Sequence, residues 1–163
     1  MRLAYRYRLY PTPAQRTALE RTLEICQRVY NEVLHVRRQA WQRDGITLRH
    51  FGTINLLLQW KREQPWLADV HSQLLQEVCT RVDLAFQAFF RRVSAGDKPG
   101  YPRFKGAGRY RSFTYPQSGV GWKLLPDGRL RLSKLGDIAI TLHRPIAGTV
   151  KALPSRAIAC TTR

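Results

Sequence analysis

Positions 2–10 alternate, with Leu3, Tyr5, Tyr7 and Leu9 on one side and Arg2, Arg6 and Arg8 on the other. A period of two predicts a strand with one buried and one cationic face. Pro11-Thr12-Pro13 stops it, and Thr12 ahead of Pro13 has the form of an N-cap with proline at the first helical position. From there to about Asp44 the apolar spacing is helical, through Leu19, Leu23, Cys26, Tyr30, Val33, Val36 and Ala40, and Asp44-Gly45 supplies the stop. A second helix is predicted from Leu48 to Glu63, capped by Thr47 and closed before Pro65. A third begins near Val70–Ser72 and runs to Val93, with Leu75, Val78, Val82, Phe86, Phe89 and Val93 three or four apart, a stripe that predicts core packing.

The pattern then changes. Gly96–Gly108 reads GDKPGYPRFKGAG, too rich in Gly, Pro and cations for a regular element. Short strand-like runs follow at Arg109–Tyr115, Val120–Leu125, Arg129–Leu132 and Asp137–His143. Pro126-Asp127-Gly128 between the second and third is a hairpin signal, because glycine accepts the positive φ such a turn needs. The order is one strand, three helices, then four or more strands. The simplest packing joins the first strand to the later ones, with the helices as an inserted lobe, an α+β architecture.

Charge sharpens this picture. The 163 residues include 28 Lys or Arg and 11 Asp or Glu, a formal net charge of +17. Residues 1–97 hold 15 basic and 9 acidic side chains, whereas residues 98–163 hold 13 basic and only Asp127 and Asp137 as acids. Self-repulsion of this size calls for a polyanion, and nucleic acid is the commonest one. Arginine supplies 22 of the cations, and its guanidinium fork suits phosphates, base edges and aromatic faces. No run approaches 18 apolar residues and no secretory signal opens the chain, so a cytoplasmic protein away from membranes is expected. Cys26, Cys79 and Cys160 lie too far apart for a metal knuckle or a disulfide framework.

Catalytic chemistry finds little support. Metal-assisted phosphodiester cleavage needs several converging carboxylates, and most acids here fall on solvated helix faces. His35, His50, His71 and His143 form no metal-binding pair, and no phosphate-cradling glycine loop is present. The expectation is therefore no catalytic residues, no metal, no cofactor and no small-molecule substrate. Segment 98–115 differs, because Lys98, Arg103, Lys105, Arg109 and Arg111 alternate with Tyr101, Phe104, Tyr110, Phe113 and Tyr115. Cations among aromatic faces suit single strands and distorted RNA. Arg6 and Arg8 on the cationic face of the first strand join these cations as candidate nucleic-acid contacts.

Several stretches, taken in order, resemble the N-terminal part of the TnpB (OrfB) proteins of bacterial insertion sequences, which are RNA-guided nucleases. They are Tyr7-Arg8-Leu9-Tyr10-Pro11-Thr12, Cys26-Gln27-Arg28-Val29-Tyr30-Asn31, Trp66-Leu67, Ala85-Phe86-Gln87-Ala88-Phe89-Phe90-Arg91, Lys98-Pro99-Gly100-Tyr101-Pro102-Arg103-Phe104-Lys105, Leu132-Ser133-Lys134-Leu135-Gly136 and His143-Arg144-Pro145. The resemblance implies a wedge-like antiparallel β-barrel, from 1–11 and 97–163, interrupted by a three-helix recognition lobe at 12–96. It implies binding of DNA and a structured guide RNA, with the DNA motif beside the target read at Gln76 and Thr114 and Ser72 near the same surface. It also implies a RuvC-like nuclease domain and a zinc ribbon that these residues do not contain. After Lys151 the tail ALPSRAIACTTR has no clear periodicity, as in a truncation or frameshift product, and a lost barrel strand would leave an open edge. The competing readings are a helix-turn-helix regulator of transposition, a basic structural protein, or a non-functional truncated product.

Overall fold

The computed structural model describes residues 5–146, 150 and 153–156. Thr12 starts the longest element, α1 (Pro13–Asp44), through a reciprocal capping box. The Thr12 hydroxyl accepts from the Gln15 N–H at 3.3 Å, and Gln15 Oε1 accepts from the Thr12 N–H at 3.0 Å. Gly45 ends the helix in the left-handed region (φ 63°), where a side chain would be strained. Helix α2 (His50–Glu63) begins two residues later than the apolar pattern predicts. Thr47 does not cap it; Arg49 holds the N-cap position, without a side-chain bond. A 3₁₀ turn over Pro65–Asp69 leads into α3 (Ser72–Ser94).

The three helices pack around one apolar seam. Ile25, Cys26, Val29 and Val33 of α1 meet Leu75, Val78, Cys79 and Val82 of α3, with Leu57 of α2 and Leu67 closing one side. The seam holds one buried ion pair. Arg37 on α1 donates to Asp83 on α3 at 2.9 Å and lies 4.2 Å from the Phe86 ring centroid. Gln87 Nε2 holds the second carboxylate oxygen of Asp83 at 2.7 Å.

The strands are shorter than the alternation predicts. They are β1 (Leu9–Tyr10), β2 (Ser112–Tyr115), β3 (Trp122–Leu124), β4 (Arg129–Leu132), β5 (Gly136–Ile140) and β6 (Leu153–Arg156). One antiparallel sheet runs in the order β1-β5-β4-β3, and β2 pairs with β6 in a second. Among the described residues the larger sheet is open, which corrects the expected β-barrel. Closure requires a continuous staggered ladder, and here the larger sheet ends on two-residue β1 and three-residue β3 while β2 pairs elsewhere.

The first strand is also cut back, because β5 ends at Ile140 and offers partners only to Leu9 and Tyr10. Tyr7 instead donates its hydroxyl to the Arg144 carbonyl at 3.0 Å and packs against Tyr5 and His143. Residues 2–4 of the expected strand lie outside the described residues. The tail carries a second correction: where no periodicity is legible, Leu153–Arg156 pairs with all four residues of β2, so that edge is covered.

Helices and sheets share their core, since Phe113, Tyr115, Trp122, Leu130, Leu132 and Ile138 continue the cluster of α1 and α3. Gly121 permits this approach. A Cβ at Gly121 would stand 2.7 Å from Tyr115 Cδ1. Gln15 Nε2 donates to the Asp137 carbonyl at 2.9 Å, so the capping residue of α1 also grips β5.

Two outcomes follow from this packing. Asp83→Ala strands a buried guanidinium and should lower unfolding free energy by about 3 kcal/mol, while Arg37→Met with Asp83→Leu should recover most of it, as read by denaturant melts. Burial pushes the Cys26 thiol up to about 12 and the Cys79 thiol up to about 11. Both stay protonated at pH 8, so iodoacetamide should label them only in denaturant, as peptide mass spectrometry would show.

Candidate nucleic-acid interface

Residues 98–111 form no regular element, and their position is set from α1. Asn31 grips the Lys105 backbone at both groups: its Nδ2 donates to the carbonyl at 3.0 Å and its Oδ1 accepts from the N–H at 2.8 Å. One turn earlier, Gln27 Nε2 donates to the same carbonyl at 2.6 Å. These amides do for the loop what a neighbouring strand would do in a sheet. Tyr101 anchors the other end, edge-on to Phe86 and Phe89 at 5.6 and 5.3 Å.

The anchored loop gathers four of the expected cations. Arg103, Lys105, Arg109 and Arg111 line an open cleft of about 550 Å³ together with Phe104. None of the four is in an ion pair among the described residues, whose salt bridges involve Arg21, Arg37, Arg129 and Arg131. Lys105 Nζ stands 5.7 Å from the Tyr30 ring, and Arg111 Nε donates to the Gly108 carbonyl at 3.0 Å. No acid lines the cleft, so its positive potential is not cancelled locally.

The aromatics of the segment divide. Tyr110, Phe113 and Tyr115 are buried, and burial pushes the Tyr110 and Tyr115 hydroxyls above the usual phenol range. They are core residues, not contact surfaces. Phe104 is 48% exposed and Tyr101 41%.

The remaining candidates sit elsewhere. Ser72 and Gln76 lie one turn apart on the exposed face of α3. The Ser72 hydroxyl accepts from Lys61 Nζ at 2.7 Å. Burial and the nearby Lys134 lower the Lys61 pKa, and Lys134 itself takes a left-handed φ of 69°. Thr114 is half-buried on β2, and its Oγ1 accepts from Arg81 at 3.1 Å. Arg81 also donates to the Ser112 carbonyl at 2.6 Å and faces the Tyr110 ring at 5.5 Å, pinning α3 to β2. Arg6, Arg8 and Lys98 are exposed and outside the cleft. Gln27, Asn31, Lys61 and Arg81 were not candidates from the sequence; Gln27, Asn31 and Arg81 act across 31 to 78 positions and Lys61 across 11, and only their polar character within the helices hints at a partner.

The acids are occupied or scattered. Besides Asp83, Asp69 pairs with Arg21, Asp127 with Arg129, and Asp137 across the β4–β5 ladder with Arg131 at 2.7 Å. The Arg131 hydrogen bond holds the Asp137 carboxyl below the usual carboxylate range. Among the described residues no three His, Cys, Asp or Glu side chains come together as metal ligands.

A family profile described as a helix-turn-helix domain, of the OrfB/IS605 type, matches residues 1–45, the span of β1, α1 and the turn into α2. A Streptomyces pristinaespiralis protein named "Putative RNA-guided DNA endonuclease" is 32% identical over 147 residues, covering 88% of this chain and 35% of its own length. The Escherichia coli (strain K12) protein named "Putative RNA-guided DNA endonuclease InsQ" is 30% identical over 151 residues, 91% of this chain and 36% of its own. The chain belongs to the TnpB/OrfB family. It spans about a third of the length of these two relatives. A Salmonella dublin relative, "Virulence protein VsdF", is 30% identical over 106 residues, 60% of this chain and 87% of its own length. No helix among the described residues is long and apolar enough to cross a membrane.

The Asn31 grip makes a direct prediction for this family member. Asn31→Ala leaves the Lys105 N–H without its acceptor, so its amide exchange should accelerate more than tenfold, with a stability loss of about 1–2 kcal/mol. Gln27→Ala keeps that acceptor and should change the exchange of the same amide much less, as hydrogen-exchange mass spectrometry would resolve.

Proposed function

We propose that this chain is the recognition part of a TnpB-type RNA-guided DNA endonuclease, binding structured guide RNA and target DNA without cutting either itself. The observation that carries the reading is the cleft of Arg103, Lys105, Arg109 and Arg111, four cations with no acid between them. Phosphate neutralisation supplies most of the affinity in such interfaces, and guanidinium forks fit phosphate oxygens two at a time. Arg6, Arg8 and Lys98 extend the positive surface beyond it.

In this reading the helices of 12–96 act as the recognition lobe, and 1–11 with 97–163 as the wedge-like part beside them. Gln76, exposed on α3, presents an amide whose donor and acceptor match an adenine edge. Ser72 and Thr114 serve the same DNA surface, with Lys61 and Arg81 holding their hydroxyls at set positions. The pairing of Asp69, Asp83, Asp127 and Asp137 with arginines supports a role in recognition.

Binding to an element-end RNA, measured against salt, tests the proposal. If about 6 phosphates are neutralised, log K against log salt should slope near −4 to −5, and Arg103→Ala with Lys105→Ala should flatten it by about 1 to 2. Gln76→Ala should leave that slope alone and cost roughly 1–3 kcal/mol of preference for one base beside the target. A flat slope in the unaltered chain would overturn the proposal, and binding confined to duplex DNA would favour a transposition regulator.

A further inference from the structure

We infer that the cleft takes an unpaired nucleotide of a single-stranded stretch, with its base against the Phe104 ring and its phosphates among Arg103, Arg109 and Arg111. This rests on the nucleic-acid reading above and narrows it to one strand type. Segment 98–115 places five aromatic rings among its cations, and the fold withdraws Tyr110, Phe113 and Tyr115 into the core. Tyr101 has its ring against Phe86 and Phe89. Phe104 is left 48% exposed, and it is the aromatic side chain that lines the cationic cleft. Phe104 is not part of the core cluster, and its exposed ring gives the cationic cleft an aromatic face on which a planar base can stack.

The support under the ring is unusually firm for a loop. The next residue, Lys105, is fixed at both backbone groups by Asn31 and again at its carbonyl by Gln27. These three bonds come from one face of a 32-residue helix, so Phe104 is presented from a fixed base. A ring carried on an anchored backbone among cations is the arrangement that holds single strands, where stacking and phosphate contact act together. It also discriminates. Bases inside a duplex are covered on both faces by their neighbours and cannot offer one to the ring, whereas an unpaired base can.

Fluorescence anisotropy on the full chain tests this, with 12-nucleotide oligouridine RNA, the matching oligothymidine DNA and a 12-base-pair DNA duplex as probes. Phe104→Ala should weaken single-strand binding roughly tenfold or more while changing duplex binding less than twofold, and Phe104→Tyr should restore the single-strand affinity. The salt slope should be the same in all three proteins, and their melting temperatures should agree. A larger loss on RNA than on DNA would assign the site to the RNA partner, and the reverse to a displaced DNA strand. Single-strand binding that keeps its steep salt slope but ignores Phe104 would overturn this inference alone. Failure of the unaltered chain to bind any probe would overturn the nucleic-acid reading with it.

Discussion

With 28 cationic side chains and 11 carboxylates, most of the positive charge in this protein has no counter-charge of its own to sit beside. That imbalance shapes both the interior and the surface. Where a guanidinium is brought inside, the fold must find it acceptors: Arg37 takes the buried carboxylate of Asp83 and the face of Phe86. Arg81 instead takes a carbonyl, two hydroxyls and the Tyr110 ring. In Arg81 the positive charge itself becomes the joint between α3 and β2. The arginines that find no such setting face solvent, and residues 98–163 set 13 cations against only two acids.

The loop after α3 concentrates this effect. It lacks a ladder of its own, so Gln27 and Asn31 on α1 supply the hydrogen bonds that hold its backbone. The loop can then project four cations and one phenylalanine from a fixed base without being rigidified by internal ion pairs that would neutralise it. In the proposed reading stability and recognition draw on different residues: amides position the loop, and guanidinium and ammonium groups are left for a ligand. The paired acids Asp69, Asp83, Asp127 and Asp137 sit in other parts of the molecule.

How much of this the sequence reveals depends on the range of the interaction. Helix α1 is legible to the residue, because Thr12, Pro13 and Gly45 act within one turn of their own position, whereas the grip of Gln15 on β5 is not legible. The turn at Gly128 (φ 80°) and the strand Arg129–Leu132 are legible for the same reason. The first strand is overestimated, since alternation reports a suitable surface and not the length of its partner, which β5 limits to two residues. The pairing of β6 with β2 joins residues some forty positions apart and leaves no local mark. In segment 98–115 the alternation marks five cations, of which the fold gathers four in one cleft and leaves Lys98 outside it, yet it cannot tell Phe113 and Tyr115, which fill the core, from Phe104, which does not. The Asn31 grip on Lys105 spans 74 positions and is illegible without the fold.

The most direct test of the central claim, that the uncancelled cations of the loop grip a polyanion, is photochemical cross-linking of bound RNA followed by peptide mapping. The account predicts adducts concentrated on peptides covering residues 101–111. Adducts confined to the exposed faces of α1 and α2, with that loop unmarked, would contradict it.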